Sequence, residues 1–405
     1  MAPLDLTDDP TVLRARGSLK WTGTRGEIAA WVAESDLGTA PMVTAALHDA
    51  VDRGLTGYLP PYERSGAARS CADWQCRRYG WDVDAERVRL VPDVVQALQL
   101  TVAHLMPPDA PVVLPTPAYM PFVDLPASWG REVVQVPMVT DDRGRAVLDL
   151  QAVDAALAEG GMVVLVNPHN PTGRVHTRDE LAALAAVVEA RGATVFADEI
   201  HAPLVHAGHH HVPYASVSAA AAQHSVTATA ASKGWNVAGL KCAQVLLTSD
   251  EHLAAWDAVP HTAEGVSTLG AVAAMAAYDD GEAWLDELLV YLGANGRLLA
   301  EVLAAEAPEV GFRAPEGTYL AWLDLRGAAV PGDLAPGELA RWLRRASGVT
   351  TVDGARCGTA GRGFVRLNLA MPASLVEEAA HRIAAALHGP SAARTTAGPA
   401  GPAPR

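Results

Sequence analysis

The chain has 405 residues and a mass of 42.3 kDa, half of its residues are hydrophobic, and 31 basic against 46 acidic side chains leave a formal charge of −15 and a pI near 5.3. A chain of that length carries two or three domains with sizeable cores. So acidic a balance excludes a dedicated nucleic-acid binder, which needs a basic face, and a polybasic membrane-surface protein.

The N-terminal stretch MAPLDLTDDPTVLRARG is acidic and has no apolar run, so it reads as neither a signal nor a transit peptide. No stretch reaches the roughly 18 consecutive apolar residues of a membrane span. The cysteines, Cys71, Cys76, Cys242 and Cys357, lack metal-ligand spacing and read as reduced thiols of a cytoplasmic protein. Further along, a helix is predicted from Val94 to Leu105. Val163 to Val166 reads as a strand, and it leads into Asn167-Pro-His-Asn-Pro-Thr-Gly173. Thr177 to Glu180 is a capping box ahead of the apolar helix Leu181 to Glu189, which Gly192 ends. The strand Thr194 to Ala197 runs into Asp198-Glu-Ile-His201, and the strand Ser225 to Thr229 runs into Ser232-Lys233. Strands alternating with helices predict βαβ units and a mostly parallel sheet, an α/β fold. After Tyr278 the pattern changes to a long helix (Glu282 to Leu303), strands at Tyr319 to Asp324 and Phe364 to Leu369, and a closing helix from Ser374 to Leu387. That sequence of elements is α+β and predicts a second, smaller domain. The Pro-, Gly- and Ala-rich tail, residues 389–405, is expected to be disordered.

Ligands bind at the carboxyl ends of strands in such sheets. Asn170, Asp198 and Lys233 each follow a strand, so they converge on one edge. Lysine is scarce here: Lys20, Lys233 and Lys241 are the only three, and arginine supplies every other permanent positive charge. Arginine stays protonated, whereas lysine can lose its proton and form a Schiff base, so each lysine is a candidate for chemistry that arginine cannot do.

Three motifs occur in order: Asn170-Pro-Thr-Gly173, Asp198-Glu-Ile-His201, and Ser232-Lys233 with Gly239-Leu-Lys241. On these the chain, from about Lys20 to Leu387, resembles the fold-type-I pyridoxal-phosphate enzymes of the class I/II aminotransferase superfamily. The resemblance implies a large domain built on a mostly parallel seven-stranded sheet sandwiched by helices, with a smaller α+β domain. It divides the chain into an N-terminal segment packing with the small domain (residues 1–40), the cofactor-binding domain (41–285), the small domain (286–388) and the tail.

By resemblance, Lys233 holds the cofactor aldehyde and acts as general base. Asp198 keeps the pyridine nitrogen protonated, because an adjacent carboxylate favours the cation. Asn170 and His201 face the ring's phenolic oxygen, and Tyr119 stacks on the ring. The phosphate falls to the backbone N–H groups of Val94 and Val95 at a helix N-terminus, to Lys241, and to the Thr229 hydroxyl. Asp93 stands where glycine is common in the family, and its carboxylate would repel the phosphate unless it points away as an N-cap. Tyr58 resembles the tyrosine that reaches the phosphate from a partner subunit, with Ser267 and Thr268 near that interface, so a homodimer is implied. Arg366 matches the arginine that grips the substrate α-carboxylate through two parallel hydrogen bonds.

Lys20-Trp21, Trp31-Val-Ala-Glu-Ser-Asp36-Leu37, Asn167 to Arg174, Trp284-Leu285 and Tyr291 to Asn295 resemble the cystathionine β-lyase-like branch. Trp31 would then fold over the site next to the small domain and touch the substrate. The branch usually carries Asp, Met and Phe where Glu34, Ser35 and Leu37 stand here. The implied reaction is α,β-elimination of a cysteine thioether such as cystathionine to a thiol, pyruvate and ammonia. An aminotransferase using the same residues, or a regulatory protein on the same fold, are the alternatives. His209-His-His211 is not read as a metal cluster, because consecutive residues point apart. Gly358 to Gly363 lacks the strand-to-helix context of a nucleotide loop. Lys20 has no chemical role in this reading.

Overall fold

The structure, a computed structural model, describes residues 4–389 except Arg25, Glu159, His261, Ala263 and Asp333. The expected disordered tail lies, beyond Gly389, outside the described residues. Seven strands form the central sheet: β1 (Val88–Val91), β2 (Val112–Thr116), β3 (Val133–Pro137), β4 (Met162–Val166), β5 (Thr194–Asp198), β6 (Ser225–Thr229) and β7 (Ala243–Leu246). Their spatial order is β1-β7-β6-β5-β4-β2-β3. Every pairing is parallel except those of β7, which runs antiparallel to β1 and β6. The α/β sheet expected from the sequence is therefore the one that forms.

Helices α1 (Pro41–Asp52), α2 (Pro61–Tyr79), α3 (Val94–His104), α4 (Met120–Ser128), α5 (Arg178–Ala190) and α6 (Thr268–Asp280) belong to this large domain. Strands β2, β4 and β6 are buried along their whole length, which is why they read as unbroken apolar or small-residue runs. Side chains alternate across the pleat. Met162, Val164 and Val166 join one core with α3, while Val163 and Leu165 join another with Leu181 and Leu184 of α5. The predicted capping box closes the start of α5: the Thr177 hydroxyl accepts from the Glu180 N–H, and Glu180 accepts from the Thr177 N–H.

The small domain holds an antiparallel sheet of β8 (Leu320–Asp324), β9 (Val352–Asp353) and β10 (Phe364–Asn368) in the order β8-β10-β9. The 25-residue helix α7 (Glu282–Glu306) runs through the expected boundary at 285/286, so one continuous helix joins the domains. By length and composition alone α7 is apolar enough to cross a membrane. Its Trp284, Leu285, Leu288, Leu292, Leu299 and Leu303 are buried, and it packs on the closing helix α9 (Ala373–His388), on which α8 (Leu339–Ser347) also packs.

The N-terminal segment lies against this domain. Ile28–Ala29 pairs in parallel with Val349–Thr350. Lys20 is fully buried, and its Nζ donates to Asp36 Oδ2 at 2.7 Å and to the Ala370 carbonyl at 3.2 Å. The Trp21 indole donates to the other oxygen of Asp36 at 2.9 Å. The lysine without a chemical role is thus an internal ion that ties residues 20–36 to the end of β10.

Candidate active site

The carboxyl ends of β4, β5 and β6 open into a cavity of about 450 Å³, which β10 and residues 31–34 close from the small-domain side. Lys233, Asp198, Asn170, His201, Tyr119, Val94, Val95, Lys241, Trp31 and Arg366 all line it. Asn170, Asp198, His201, Lys233 and Tyr119 sit at or within a few residues of a strand's carboxyl end, Arg366 lies on β10, and Lys241 stands just before β7, so the fold needs no long excursion to assemble them.

Lys233 follows β6 in the turn that begins at Ala231, and its Nζ donates to the Ala33 carbonyl at 3.0 Å. Burial, with the nearby Arg366 charge, pulls its pKa down to about 8. Asp198 ends β5 and is only 4% exposed. Burial pushes its carboxyl up to about 7, against the opposing Ile200 N–H, which donates to Oδ1 at 3.1 Å. His201 is held well below its usual pKa by burial and by the charges of Lys233 and Arg366, so its ring is neutral. Its Nδ1 is buried without a partner among the described residues, and its ring lies edge-on to Tyr319 at 6.1 Å. The Tyr319 hydroxyl donates to the same Ala33 carbonyl at 2.9 Å.

Arg366, on β10, is 2% exposed. One guanidinium nitrogen donates to Asn170 Oδ1 at 2.9 Å and another to the Trp31 carbonyl at 3.1 Å, while its Nε has no partner among the described residues. Asn170 thereby commits its carbonyl oxygen and keeps its NH₂ group as donor. Burial lowers the Arg366 pKa from its ordinary value. Trp31 is pinned by its indole, which donates to the Lys20 carbonyl at 2.9 Å. Tyr119 packs edge-on against Phe122, and burial followed by the Asp198 charge raises its phenol.

At the other end of the cavity α3 begins. Its first N–H groups, Val94 and Val95, have no carbonyl to reach within the helix. Asp93 does serve as N-cap, its Oδ1 accepting from Gln96 N at 2.9 Å, but it does not turn wholly away. Its Oδ2 pairs with Lys241 Nζ at 2.8 Å.

Two expected residues lie elsewhere. Thr229 is buried in β6, its hydroxyl donates to the Glu199 carbonyl at 3.2 Å, and it is not among the cavity-lining residues. Tyr58 is fully exposed, beside Ser267 and Thr268 at a separate surface pocket; Thr268 Oγ1 donates to the Gly57 carbonyl at 2.8 Å. His211 Nε2 meets Glu199 Oε2 at 3.1 Å in the interior. Among the described residues no group of histidine, cysteine and carboxylate side chains could hold a metal. The four cysteines are free thiols.

Sequence reasoning gave no part to Met120 and Arg356, which also line the cavity. The signal for Arg356 was its place next to the discounted Gly-rich loop and ten residues before Arg366.

The donor set fits pyridoxal phosphate. A depressed-pKa amine, a buried carboxyl, a neutral histidine with an orphaned nitrogen, a stacking phenol and a helix N-terminus beside a lysine match the aldehyde, ring nitrogen, ring oxygen, ring face and phosphate in turn.

A family model described as aminotransferase class I and II matches residues 32–383. The chain is 38% identical over 383 residues to the cystathionine beta-lyase of Corynebacterium glutamicum, covering 93% of this chain and 98% of that one. It is 32% identical over 380 residues to the cystathionine beta-lyase PatB of Bacillus subtilis, covering 91% and 96%. Among solved structures, the PLP-bound C-S lyase from Staphylococcus hominis superposes with a TM-score of 0.88 at 27% identity, covering 96% of this chain and all of that one.

Proposed function

Because the chain belongs to the class I and II aminotransferase family, we propose that it is a pyridoxal-phosphate-dependent C–S lyase that converts a cysteine thioether such as cystathionine, with water, to a thiol, pyruvate and ammonia. The observation that carries this reading is the convergence of Lys233, Asp198 and Arg366 on one cavity, in a chain whose similarity to cystathionine beta-lyases spans nearly its whole length.

Pyridoxal phosphate, when bound, supplies the electron sink that stabilises negative charge at the substrate Cα. Everything else falls to the chain. Arg366 takes the substrate carboxylate in its planar fork and so fixes the direction of the Cα–H bond. Lys233 would hold the cofactor through its aldehyde, and the free Lys233 amine is the base that takes the Cα proton. A pKa near 8 suits that role, since a useful fraction is unprotonated at neutral pH and the conjugate acid can still give the proton up. With charge at Cα, the Cβ–S bond breaks and the sulfur leaves as thiolate, which the ammonium of Lys233 can protonate. The released aminoacrylate hydrolyses to pyruvate and ammonia. Asp198 would hold the ring nitrogen as its cation, and that adjacent positive charge would keep the carboxylate ionised against the effect of burial. Trp31 and residues 32–34 form the small-domain wall of the cavity.

The proposal extends to a homodimer in the cytoplasm whose two sites share residues across the interface. Tyr58, fully exposed, lies beside Ser267 and Thr268 at the start of α6, an exposed aromatic of the kind an interface would cover. Purified holoenzyme incubated with L-cystathionine and no 2-oxo acid should release pyruvate and free thiol in equal amounts. Turnover only when a 2-oxo acid is added would instead make the protein an aminotransferase.

A further inference from the structure

The cavity contains two guanidinium groups, and only one is used. Arg366 is buried and hydrogen-bonded as described. Arg356 stands at the exposed rim, and among the described residues its guanidinium has no hydrogen bond and no ion pair. The three carboxylates of the cavity are committed elsewhere. Asp93 is paired with Lys241, Glu34 accepts the Lys20 N–H at 3.2 Å and faces Lys233, and Asp198 sits at the sheet edge with the Ile200 N–H. The two arginines are close enough for the charge of Arg356 to act on Arg366, and it acts unfavourably.

The position of Arg356 is held firmly. It lies on a single 3-10 turn, Gly354–Cys357, between β9 and β10. Asp353 caps the turn, its Oδ1 accepting from Ala355 N at 3.0 Å and its Oδ2 from Ala340 N at 3.0 Å. The Ala118 N–H donates to the Cys357 carbonyl at 2.8 Å, which ties the turn to the loop carrying Tyr119. Gly354 packs so tightly on Gly361 that a Cβ there would stand 2.2 Å from the Gly361 oxygen. A firmly held turn that brings an unpaired guanidinium to the mouth of the cavity is suited to meet an anion there.

We propose that Arg356 receives a carboxylate at the far end of the substrate's thiol half, so that the enzyme selects thioethers bearing an acid on both sides of sulfur over S-alkyl cysteines. This rests on the lyase reading above and names its substrate class. The α-carboxylate, at buried Arg366, is the inner anchor. The leaving group extends outward, where a second carboxylate meets Arg356 and relieves the repulsion between the two guanidiniums.

The test compares the holoenzyme with Arg356→Ala and Arg356→Lys, using L-cystathionine and S-ethyl-L-cysteine as probes. Dissociation constants are read by stopped flow from the perturbed absorbance of the cofactor before turnover, and pyruvate release is followed separately. Arg356→Ala should weaken L-cystathionine about tenfold more than S-ethyl-L-cysteine, the loss of one charge-assisted contact at a half-open site. Arg356→Lys should recover part of that difference. Equal weakening of both probes, or none of either, overturns the proposal; a dimer contact or a general structural role would give the former. If the unmodified enzyme releases no pyruvate from either probe, the lyase reading fails, while the ratio of the two dissociation constants still decides the role of Arg356.

Discussion

Lys233 and Asp198 put opposite demands on one buried space. The lysine must lose its proton to act and the carboxyl must keep its charge, yet burial favours the neutral form of both. In the proposed site the cationic ring nitrogen of the bound cofactor would meet the second demand at Asp198. This has a consequence for the apoprotein. A carboxyl pushed up to about 7 keeps its proton in the folded state where the unfolded chain, titrating near 3.8, has lost it. Stability contributed by Asp198 is therefore present below about pH 4 and declines as pH rises through 7, by on the order of a few kcal/mol. Chemical denaturation of the apoprotein from pH 4 to pH 8 should show this decline. Asp198→Asn, uncharged throughout, should flatten it, and saturating cofactor should remove it from the unmodified protein. Lys233→Ala should lose the cofactor's covalent attachment, so that borohydride no longer fixes it to the chain, with activity falling by several orders of magnitude; cofactor still reduced onto the variant would place the Schiff-base lysine elsewhere. These residues were legible because each directly follows a strand, and strand ends in a parallel sheet converge by geometry alone. Arg356 was not, since its direction depends on the Asp353 cap and on Ala118, contacts more than two hundred residues apart in the second case.

Helix α3 shows how one element serves two purposes at one end. Asp93 caps it and also holds Lys241, so the carboxylate that stabilises the helix stands where a phosphate dianion would have to share that lysine. Replacing Asp93 with glycine keeps most of the capping, since glycine is a tolerable N-cap and costs only a few tenths of a kcal/mol. It removes a like charge beside the phosphate, worth about 1 kcal/mol at such distances in a solvated site. Asp93→Gly should therefore bind pyridoxal phosphate several-fold more tightly in a spectral titration, with a nearly unchanged denaturation midpoint; weaker binding would mean that Asp93 orients Lys241 rather than competing for it. The N-terminal segment behaves in the opposite way, with stability resting on one ion. Lys20 and Asp36 are paired at 2.7 Å with side chains 0% and 5% exposed. Lys20→Ala strands Asp36 in the interior with only the Trp21 indole and should cost about 3–5 kcal/mol by urea denaturation. The periodicity of α5 and its capping box were plain in the sequence. The role of Lys20 was hidden, because its acceptors Asp36 and Ala370 come together only when the segment docks on the end of β10.

The buried apolar side chains fall into three clusters, two against the faces of the large sheet and a third that runs from α1 and α2 through α7 into the small domain, and the site lies where the large sheet, β10 and the N-terminal segment meet. The sequence marked the change from α/β to α+β but put the boundary inside a continuous helix, whose buried apolar side chains from Trp284 to Leu303 all join one cluster and so carry no mark of a boundary. The same limit applies to contacts between copies of the chain. Tyr58 resembles a residue that works in the neighbouring site; it is fully exposed here and absent from the cavity of its own chain. If each site draws Lys233 from one subunit and Tyr58 from the other, two inactive variants can complement. Lys233→Ala and a Tyr58 variant crippled in phosphate binding, refolded together, form hybrid dimers in which one site has lost both residues and the other retains both. Random mixing makes half the dimers hybrid, so activity should return to about a quarter of that of the unmodified enzyme, as the two-fold symmetry of an isologous dimer requires. If Tyr58 acts within its own chain, no hybrid site is intact and mixing restores nothing. The measurement thus locates the tyrosine whatever the substrate, provided the homodimer forms, and sedimentation of the mixture checks that condition directly.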